Sequence, residues 1–120
     1  MFKILITGSR YWVDKEAIEK AITGHTKHMN PHDVLIIHGA ARGADSLSGE
    51  VAKDYGYKLS VHPAEWEKYG KHEAGGLRNQ KMVDLKPDIC LAFPLKGSIG
   101  TYDCIRRARK AGIITEVYRK

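Results

Sequence analysis

Cysteine is scarce in this sequence, and long hydrophobic runs are missing. The two cysteines, Cys90 and Cys104, form no CxxC pair. They therefore indicate neither a disulfide framework nor a cysteine-based metal site, and we interpret them as reduced packing residues. No apolar run approaches the ~18 residues that a membrane span needs, and the N-terminal segment is typical of a β-strand rather than of a signal peptide. We expect a cytoplasmic protein without a membrane partner.

Acidic residues are outnumbered by basic ones. Asp and Glu total 14 against 20 Lys and Arg, which gives a formal net charge of +6. Such an excess favours an anionic partner such as a nucleotide or a nucleic acid, although a lysine-rich solvated surface would explain the same number. His25, His28 and His32 lie in a polar connector that we interpret as a solvated loop, and we predict no metal site.

Repeats and low-complexity segments are also missing, and the length of 120 residues is typical of one compact core. We predict a single domain over residues 1–120. Apolar stretches predict strands at residues 2–7, 33–38, around Leu59 and Val61, at 88–93 and at 113–118. Amphipathic stretches predict a helix from the N-cap Asp14 to about Gly24, one from Ala44 to the stop at Gly56, one at 77–85, and one that buries Tyr102, Ile105 and Ala108 and ends at Gly112. We interpret residues 64–76 as a loop or short helix.

The alternation of strands and helices predicts the fold class. It is typical of a doubly wound α/β protein with a mainly parallel five-stranded sheet. With the strand order 3-2-1-4-5, the carboxyl ends of strands two, one and four lie side by side, and a ligand crevice is expected outside them.

Three glycine-containing turns follow these three strands. They are Gly8-Ser9-Arg10, the stretch 39–45 and the stretch 97–101. Glycine lets the backbone approach a ligand closely, and a helix that follows such a turn directs its free N–H groups to the same point. The hydroxyls of Ser98 and Thr101 can donate to phosphate oxygens. One such turn has a purely steric explanation, but three on one rim favour a phosphate-binding site.

The same turns carry a family resemblance. The motifs Gly8-Ser9-Arg10-Tyr11-Trp12, His38 to Asp45, His62 to Trp66, Arg78-Asn79 and Ala92 to Thr101 resemble the YspA-like branch of the SLOG superfamily over nearly the whole chain. This superfamily also contains the LOG-type phosphoribohydrolases, which release cytokinin bases from nucleotides, and the DNA-processing A proteins, which bind single-stranded DNA. The resemblance implies a Rossmann-like fold and a nucleotide-derived ligand that the protein senses.

The chain departs from the LOG pattern in the length of one turn and at the glutamate position. Residues 94–101 resemble the LOG run Pro-Gly-Gly-x-Gly-Thr-x-x-Glu with an extra residue in the turn, but Cys104 occupies the place of the Glu. Arg78 lies near the place of the LOG catalytic arginine, and Arg78-Asn79 resembles the arginine-asparagine pair of the DNA-processing A group. The resemblance therefore implies that the anion-binding part is present without its carboxylate.

We interpret the chain as a module that binds, and so senses or sequesters, a nucleotide-type small molecule such as NAD or an ADP-ribose derivative. No other cofactor and no catalytic residue is predicted. The first alternative is a LOG-like N-glycosidic hydrolase in which Asp45, Asp103 or Glu65 would supply the carboxylate. The second is a module that binds single-stranded nucleic acid through the basic surface. The oligomeric state stays open, with a homo-oligomer among the alternatives.

Individual residues of the site have their own alternatives. Arg10 and Arg78 are candidates for binding phosphate through bidentate hydrogen bonds. Asp45 would either accept a ribose hydroxyl or interact with the N–H groups of its own helix. Trp12, Trp66 and Tyr69 are candidates for base stacking, with packing as the alternative. The predicted ligand-binding residues are Gly8, Ser9, Arg10, Gly39, Ala40, Arg42, Gly43, Ala44, Asp45, Arg78, Asn79, Phe93, Pro94, Gly97, Ser98, Gly100 and Thr101.

Overall fold

The computed structural model describes the backbone of residues 1–119, and their side chains except at positions 71 and 72. Within this range, five strands alternate with four α-helices, as the sequence predicts. The elements are β1 (Phe2–Gly8), α1 (Lys15–Thr26), a 3₁₀ helix (Pro31–Asp33), β2 (Val34–His38), α2 (Ala44–Tyr55), β3 (Lys58–Val61), α3 (Trp66–Asp84), β4 (Ile89–Phe93), α4 (Ile99–Lys110) and β5 (Ile114–Val117).

The strands form one sheet in the order β3-β2-β1-β4-β5, and every neighbouring pair is parallel. This confirms the predicted fold class and strand order. Parallel strands place their carboxyl ends on one edge of the sheet, so the loops after β2, β1 and β4 are neighbours. None of the helices among residues 1–119 is long and apolar enough to span a membrane.

The central strand β1 is buried on both faces. Ile4 and Ile6 belong to one apolar cluster with residues of α1 and α2. Leu5 points to the other face, where it packs with Met82 of α3 and Cys104 of α4. Successive side chains of a strand point to opposite faces, so a continuous apolar run requires helices on both sides. This two-sided packing fixes the position of the loop that follows β1.

Two predicted helix ends agree with the structure to within a few residues. The Asp14 carboxylate caps α1 by accepting a hydrogen bond from the N–H of Ala17 at 3.1 Å. This helix continues to Thr26, past the predicted end near Gly24. Gly56, with φ +78°, ends α2 in the left-handed conformation that glycine adopts at little cost.

The third helix differs from the prediction. Residues 66–76 belong to α3, whereas the sequence predicts a loop or short helix over 64–76 and a helix only from Leu77. Gly70, with φ +79° and ψ 174°, is not helical and forms a kink between two helical stretches of α3. A side chain at Gly75 would contact the Trp66 ring, and one at Gly76 would approach the Arg107 guanidinium. Tertiary packing against these small residues overrides their low helix propensity.

Two smaller expectations are also corrected. Tyr102 is 40% exposed, so the buried face of α4 consists of Thr101, Cys104, Ile105 and Ala108. The connector after α1 contains the 3₁₀ helix, and His25 lies within α1, where its Nε2 is 2.8 Å from Glu116 Oε1. That contact ties the end of α1 to β5.

Candidate functional site

A cavity of about 400 Å³ lies at the carboxyl ends of β1 and β4. Loops and helix ends from both halves of the sheet enclose it, which is the position expected for a ligand in this class of fold. The predicted residues that line it are Gly8, Ser9, Arg10, Asp45, Arg78, Asn79, Gly97, Ser98, Gly100 and Thr101.

The remaining predicted residues lie outside the lining: Gly39, Ala40, Arg42, Gly43, Ala44, Phe93 and Pro94. Trp66, which the sequence analysis names as a stacking candidate, lines the cavity as well. Sequence reasoning missed six lining residues: Thr7, Tyr11, Ala41, Met82, Lys96 and Ile99. Tyr11, Ala41, Lys96 and Ile99 lie inside the motifs that carry the family resemblance, so their position in those loops is a signal that could have found them.

The loop between β4 and α4 is open toward the cavity. The N–H of Ile99 donates to Gly97 O and that of Tyr102 donates to Ser98 O, but the N–H groups of Gly100 and Thr101 find no acceptor within residues 1–119. A side chain built at Gly97 or Gly100 would meet nothing within 4 Å. Free N–H groups at the start of a 12-residue helix attract an anion because the helix dipole is positive there.

The glycines after β1 and β2 are packed instead. A Cβ at Gly43 would overlap the carbonyl oxygen of Ser9, and Gly43 also has φ +72°. A Cβ at Gly8 would lie 2.5 Å from that of Ala44, and one at Gly39 would overlap the Arg78 guanidinium. These glycines allow the two loops and α3 to approach each other closely.

Ser9 connects three elements beneath the cavity. Its N–H donates to Phe93 O of β4 at 2.9 Å, and its carbonyl accepts from the N–H groups of Ala44 at 3.1 Å and Trp12 at 3.1 Å. Its hydroxyl accepts from the N–H of Tyr11 at 3.0 Å. Ser9 is buried, so these bonds are shielded from water and hold the β1 loop in place.

Asp45 lies at the bottom of the cavity and is only 6% exposed. Its Oδ2 accepts from the N–H groups of Gly39 at 3.1 Å and Ala41 at 3.3 Å, which belong to the loop before α2 and not to the helix itself. Its Oδ1 is buried and has no hydrogen-bond partner in the described chain. Burial raises the pKa of Asp45 to about 6, although the two N–H bonds and the nearby Arg78 favour the charged form.

Arg78 and Asn79 join the two sides of the cavity. Arg78 Nη1 donates to the carbonyl of Gly39, and Nε donates to Asn79 Oδ1 at 2.8 Å. Asn79 Nδ2 donates to Gly100 O at 3.2 Å and to Asp103 Oδ2 at 3.0 Å. The loop after β2 is thereby linked through α3 to the first turn of α4. Arg78 Nη2 makes no hydrogen bond within residues 1–119, so it is available to a ligand.

Both carboxylate oxygens of Asp103 accept hydrogen bonds from protein side chains. Besides the bond from Asn79, Asp103 accepts from Arg106 Nη2 at 2.6 Å and from Arg107 Nε at 2.9 Å. Partial burial opposes ionisation, but the hydrogen bonds from Asn79 and Arg107 outweigh it and lower the pKa of Asp103. Asp103 is therefore ionised, its oxygens are paired with donors of the protein, and it does not line the cavity.

Cys104, at the position of the LOG glutamate, lies in the core. It is fully buried beside Cys90, and both thiols are free. Hydrogen bonding with Cys104 and burial raise the pKa of the Cys90 thiol. Cys104 does not line the cavity, so its thiol offers no group to a ligand there.

The three aromatic candidates lie in three different places, and Tyr11 is a further aromatic residue at the cavity. Trp12 is 3% exposed and packs edge-on against Phe93 with ring centroids 5.3 Å apart, so its proposed stacking role is wrong. Tyr69 lines a neighbouring groove rather than the cavity. Trp66 and Tyr11 line the cavity at 54% and 67% exposure. They lie at its mouth, since Asp45 at its bottom is nine-tenths buried.

Fold and cavity together define a Rossmann-like α/β protein with free backbone donors at its switch point. Residues 2–69 match the model of the YspA, cpYpsA-related SLOG family, which is more than half of the chain. The chain belongs to this family. A relative over nearly the full length is the gene 61 protein of Mycobacterium phage D29, which is 43% identical over 118 residues and covers 94% of this chain and 93% of its own.

Solved structures share the fold at low identity. DNA processing protein A (DprA) of Streptococcus pneumoniae superposes with a TM-score of 0.72 and 19% identity over 99% of this chain. DprA of Helicobacter pylori, whose structure is described for its single-stranded DNA binding mode, gives 0.67 and 16% over 97%. TM1055 gives 0.65 and 15% over 96%. This chain spans 50% of the Streptococcus protein, 64% of the Helicobacter protein and 72% of TM1055.

Proposed function

We propose that this protein binds a nucleotide or nucleotide-derived ligand, with the phosphate at the start of α4. The observation that carries the proposal is the pair of free N–H groups, on Gly100 and Thr101, which face a cavity lined also by Arg10, Arg78 and Lys96. Proteins recognise phosphate through backbone N–H donors, the positive end of a helix dipole and guanidinium groups that line the same site. The buried, unpartnered carboxylate oxygen of Asp45 in the same cavity indicates that the ligand is more than inorganic phosphate.

Binding without turnover is favoured over hydrolysis. Cleavage of an N-glycosidic bond needs a positioned carboxylate, which is worth roughly 10²- to 10⁴-fold in rate. Cys104 replaces the LOG glutamate, and Asp103 is occupied by Asn79, Arg106 and Arg107. Glu65 does not line the cavity, which leaves Asp45 as the one carboxylate among the described lining residues. We therefore expect retained affinity and no release of free base.

N-glycosidic hydrolysis remains the second candidate because of Asp45. Its free Oδ1 and its pKa of about 6 are properties of a general acid. Chromatography for free base after long incubation with nucleoside monophosphates, NAD and ADP-ribose tests it. Multiple turnovers that disappear in Asp45→Asn would show that Asp45 does the chemistry.

Thermal unfolding with a panel of nucleotides tests the binding proposal. AMP, ADP, NAD, ADP-ribose and cyclic dinucleotides should include at least one stabiliser, since a ligand at a hundred times its Kd adds about 2.7 kcal/mol and shifts the Tm by several degrees. Gly100→Val should abolish that shift, because the side chain would project from the open start of α4. Gly24→Val is the matched control, as Gly24 is also a helical glycine with nothing within 4 Å.

Two outcomes would contradict this proposal. If no nucleotide in the panel shifts the Tm, the cavity is not a nucleotide site. If single-stranded DNA binds instead, and its affinity falls steeply with salt while nucleotides have no effect, the protein tracks a phosphate backbone. The exposed Arg106, Arg109 and Lys110 on α4 and the Helicobacter neighbour favour that alternative.

A further inference from the structure

Asp45 has one oxygen that the protein leaves unsatisfied. Oδ2 accepts two backbone N–H bonds, whereas Oδ1 is buried with no donor within reach in residues 1–119. A buried carboxylate oxygen without a partner is costly, and such groups are rare in folded proteins. Because Asp45 lines the cavity, a small rotation of its carboxylate presents Oδ1 to a ligand there, which can supply the missing donor.

The position of Asp45 restricts which part of a nucleotide can be that donor. The free N–H groups of Gly100 and Thr101 mark the place of the phosphate. The exposed rings of Tyr11 and Trp66 stand at the mouth, where a base can stack on them. A nucleotide that spans these two places crosses the cavity that Asp45 lines, and its sugar is the part that carries hydroxyl donors. Ribose offers hydroxyl donors there, and a carboxylate oxygen accepts them strongly.

We infer that the site selects ribonucleotides, with a ribose 2′- or 3′-hydroxyl donating a hydrogen bond to Oδ1 of Asp45. This inference rests on the proposed function and names the class of ligand for it. A DNA strand carries no 2′-hydroxyl, and its internal 3′-oxygens are esterified and cannot donate. The unpaired Oδ1 of Asp45 therefore distinguishes a site for ribonucleotides from a site that binds single-stranded DNA.

Isothermal titration calorimetry with matched probes tests the inference. AMP and ADP are compared with their 2′-deoxy and 3′-deoxy forms on the unmodified protein. At least one deoxy form should bind about 10- to 100-fold more weakly than its ribonucleotide, as expected when a hydrogen bond to a charged group is lost. This arm needs no variant, so it does not depend on the folding of a mutant protein.

Variants then assign the preference to Asp45. In Asp45→Asn, affinity for the ribonucleotide should fall to that of the weaker deoxy form, while affinity for that deoxy form stays within about twofold. Asp54→Asn makes the same chemical change on the surface, in a pair with Lys15, and should preserve the preference. Far-ultraviolet circular dichroism checks that each variant is folded.

Each result has a distinct meaning. If both ribo and deoxy forms bind equally well to the unmodified protein, the inference is overturned and the proposed function stands. A preference that persists in Asp45→Asn would place the acceptor elsewhere and would also overturn the inference. If none of the probes binds, the inference is overturned, and the proposed function fails with it only if no nucleotide of the thermal-unfolding panel shifts the Tm either.

Discussion

The loops on the two sides of the cavity use glycine for opposite purposes. After β1 and β2, glycine removes a side chain so that protein can approach protein, as where Gly43 lies against Ser9. After β4, Gly97 and Gly100 face empty space, and the N–H of Gly100 is free. Glycine-rich loops therefore have two different roles here. The glycines after β1 and β2 allow close packing of the cavity wall, whereas those after β4 leave backbone donors exposed to the cavity.

Substituting one glycine from each side gives the largest expected difference. Gly43→Val should destabilise the fold by roughly 3 kcal/mol or more, since the side chain overlaps the Ser9 carbonyl and φ is +72°. Gly100→Val should change the free energy of unfolding by less than about 1 kcal/mol, because its side chain enters open space. Urea unfolding measures both. Equal destabilisation by the two substitutions would remove the distinction between packed and open glycines.

The two carboxylates provide the next comparison. Burial raises the folded-state pKa of Asp45 to about 6, so the folded protein holds this proton more tightly than the unfolded chain. Stability should then fall as pH rises from about 4 to 6, by up to about 3 kcal/mol, and stay low above pH 6. Asp45→Asn should remove this loss and be more stable than the unmodified protein at pH 7.5. Urea unfolding between pH 4 and 8 tests this, and parallel curves for the two proteins would contradict it.

Asp103 should show the opposite slope and a smaller effect. Hydrogen bonds from Asn79 and Arg107 outweigh burial and lower its pKa, so its contribution is present above the unfolded pKa near 4 and is lost as pH falls below it. Asp103→Asn should cost about 1 kcal/mol or less at pH 7, because Arg106 and Arg107 are partly exposed. The same titration measures the difference, and a stabilising Asp103→Asn at pH 7 would be the contradicting result.

Much of the fold could be predicted because it depends on local pattern. Continuous apolar runs such as residues 2–7 require burial on both faces, and their alternation with helices leaves few topologies. The start of α3 could not be predicted in this way. Gly75 and Gly76 read as helix breakers, yet they lie within the helix, where their packing against Trp66 and Arg107 forms only on folding. Gly70 does interrupt the helical backbone and forms the kink.

The site was predictable at the level of loops and not of atoms. The order of strands is enough to bring Ser9, Asp45 and Gly100 to one edge. No sequence pattern shows that Oδ2 of Asp45 is satisfied while Oδ1 is not, because that depends on where the N–H groups of Gly39 and Ala41 point. Trp12 and Tyr11 are adjacent in sequence but lie in the core and at the mouth, a difference that the fold alone decides.

The four hydrogen bonds at Ser9 have a consequence for the entropy of binding. They fix the β1 loop to β4 and α2 before any ligand arrives. An association that must order a loop loses conformational entropy of roughly 1–2 kcal/mol per residue at room temperature. Here that ordering is already complete at the floor of the cavity, so the enthalpy of new contacts is not offset by immobilising this loop.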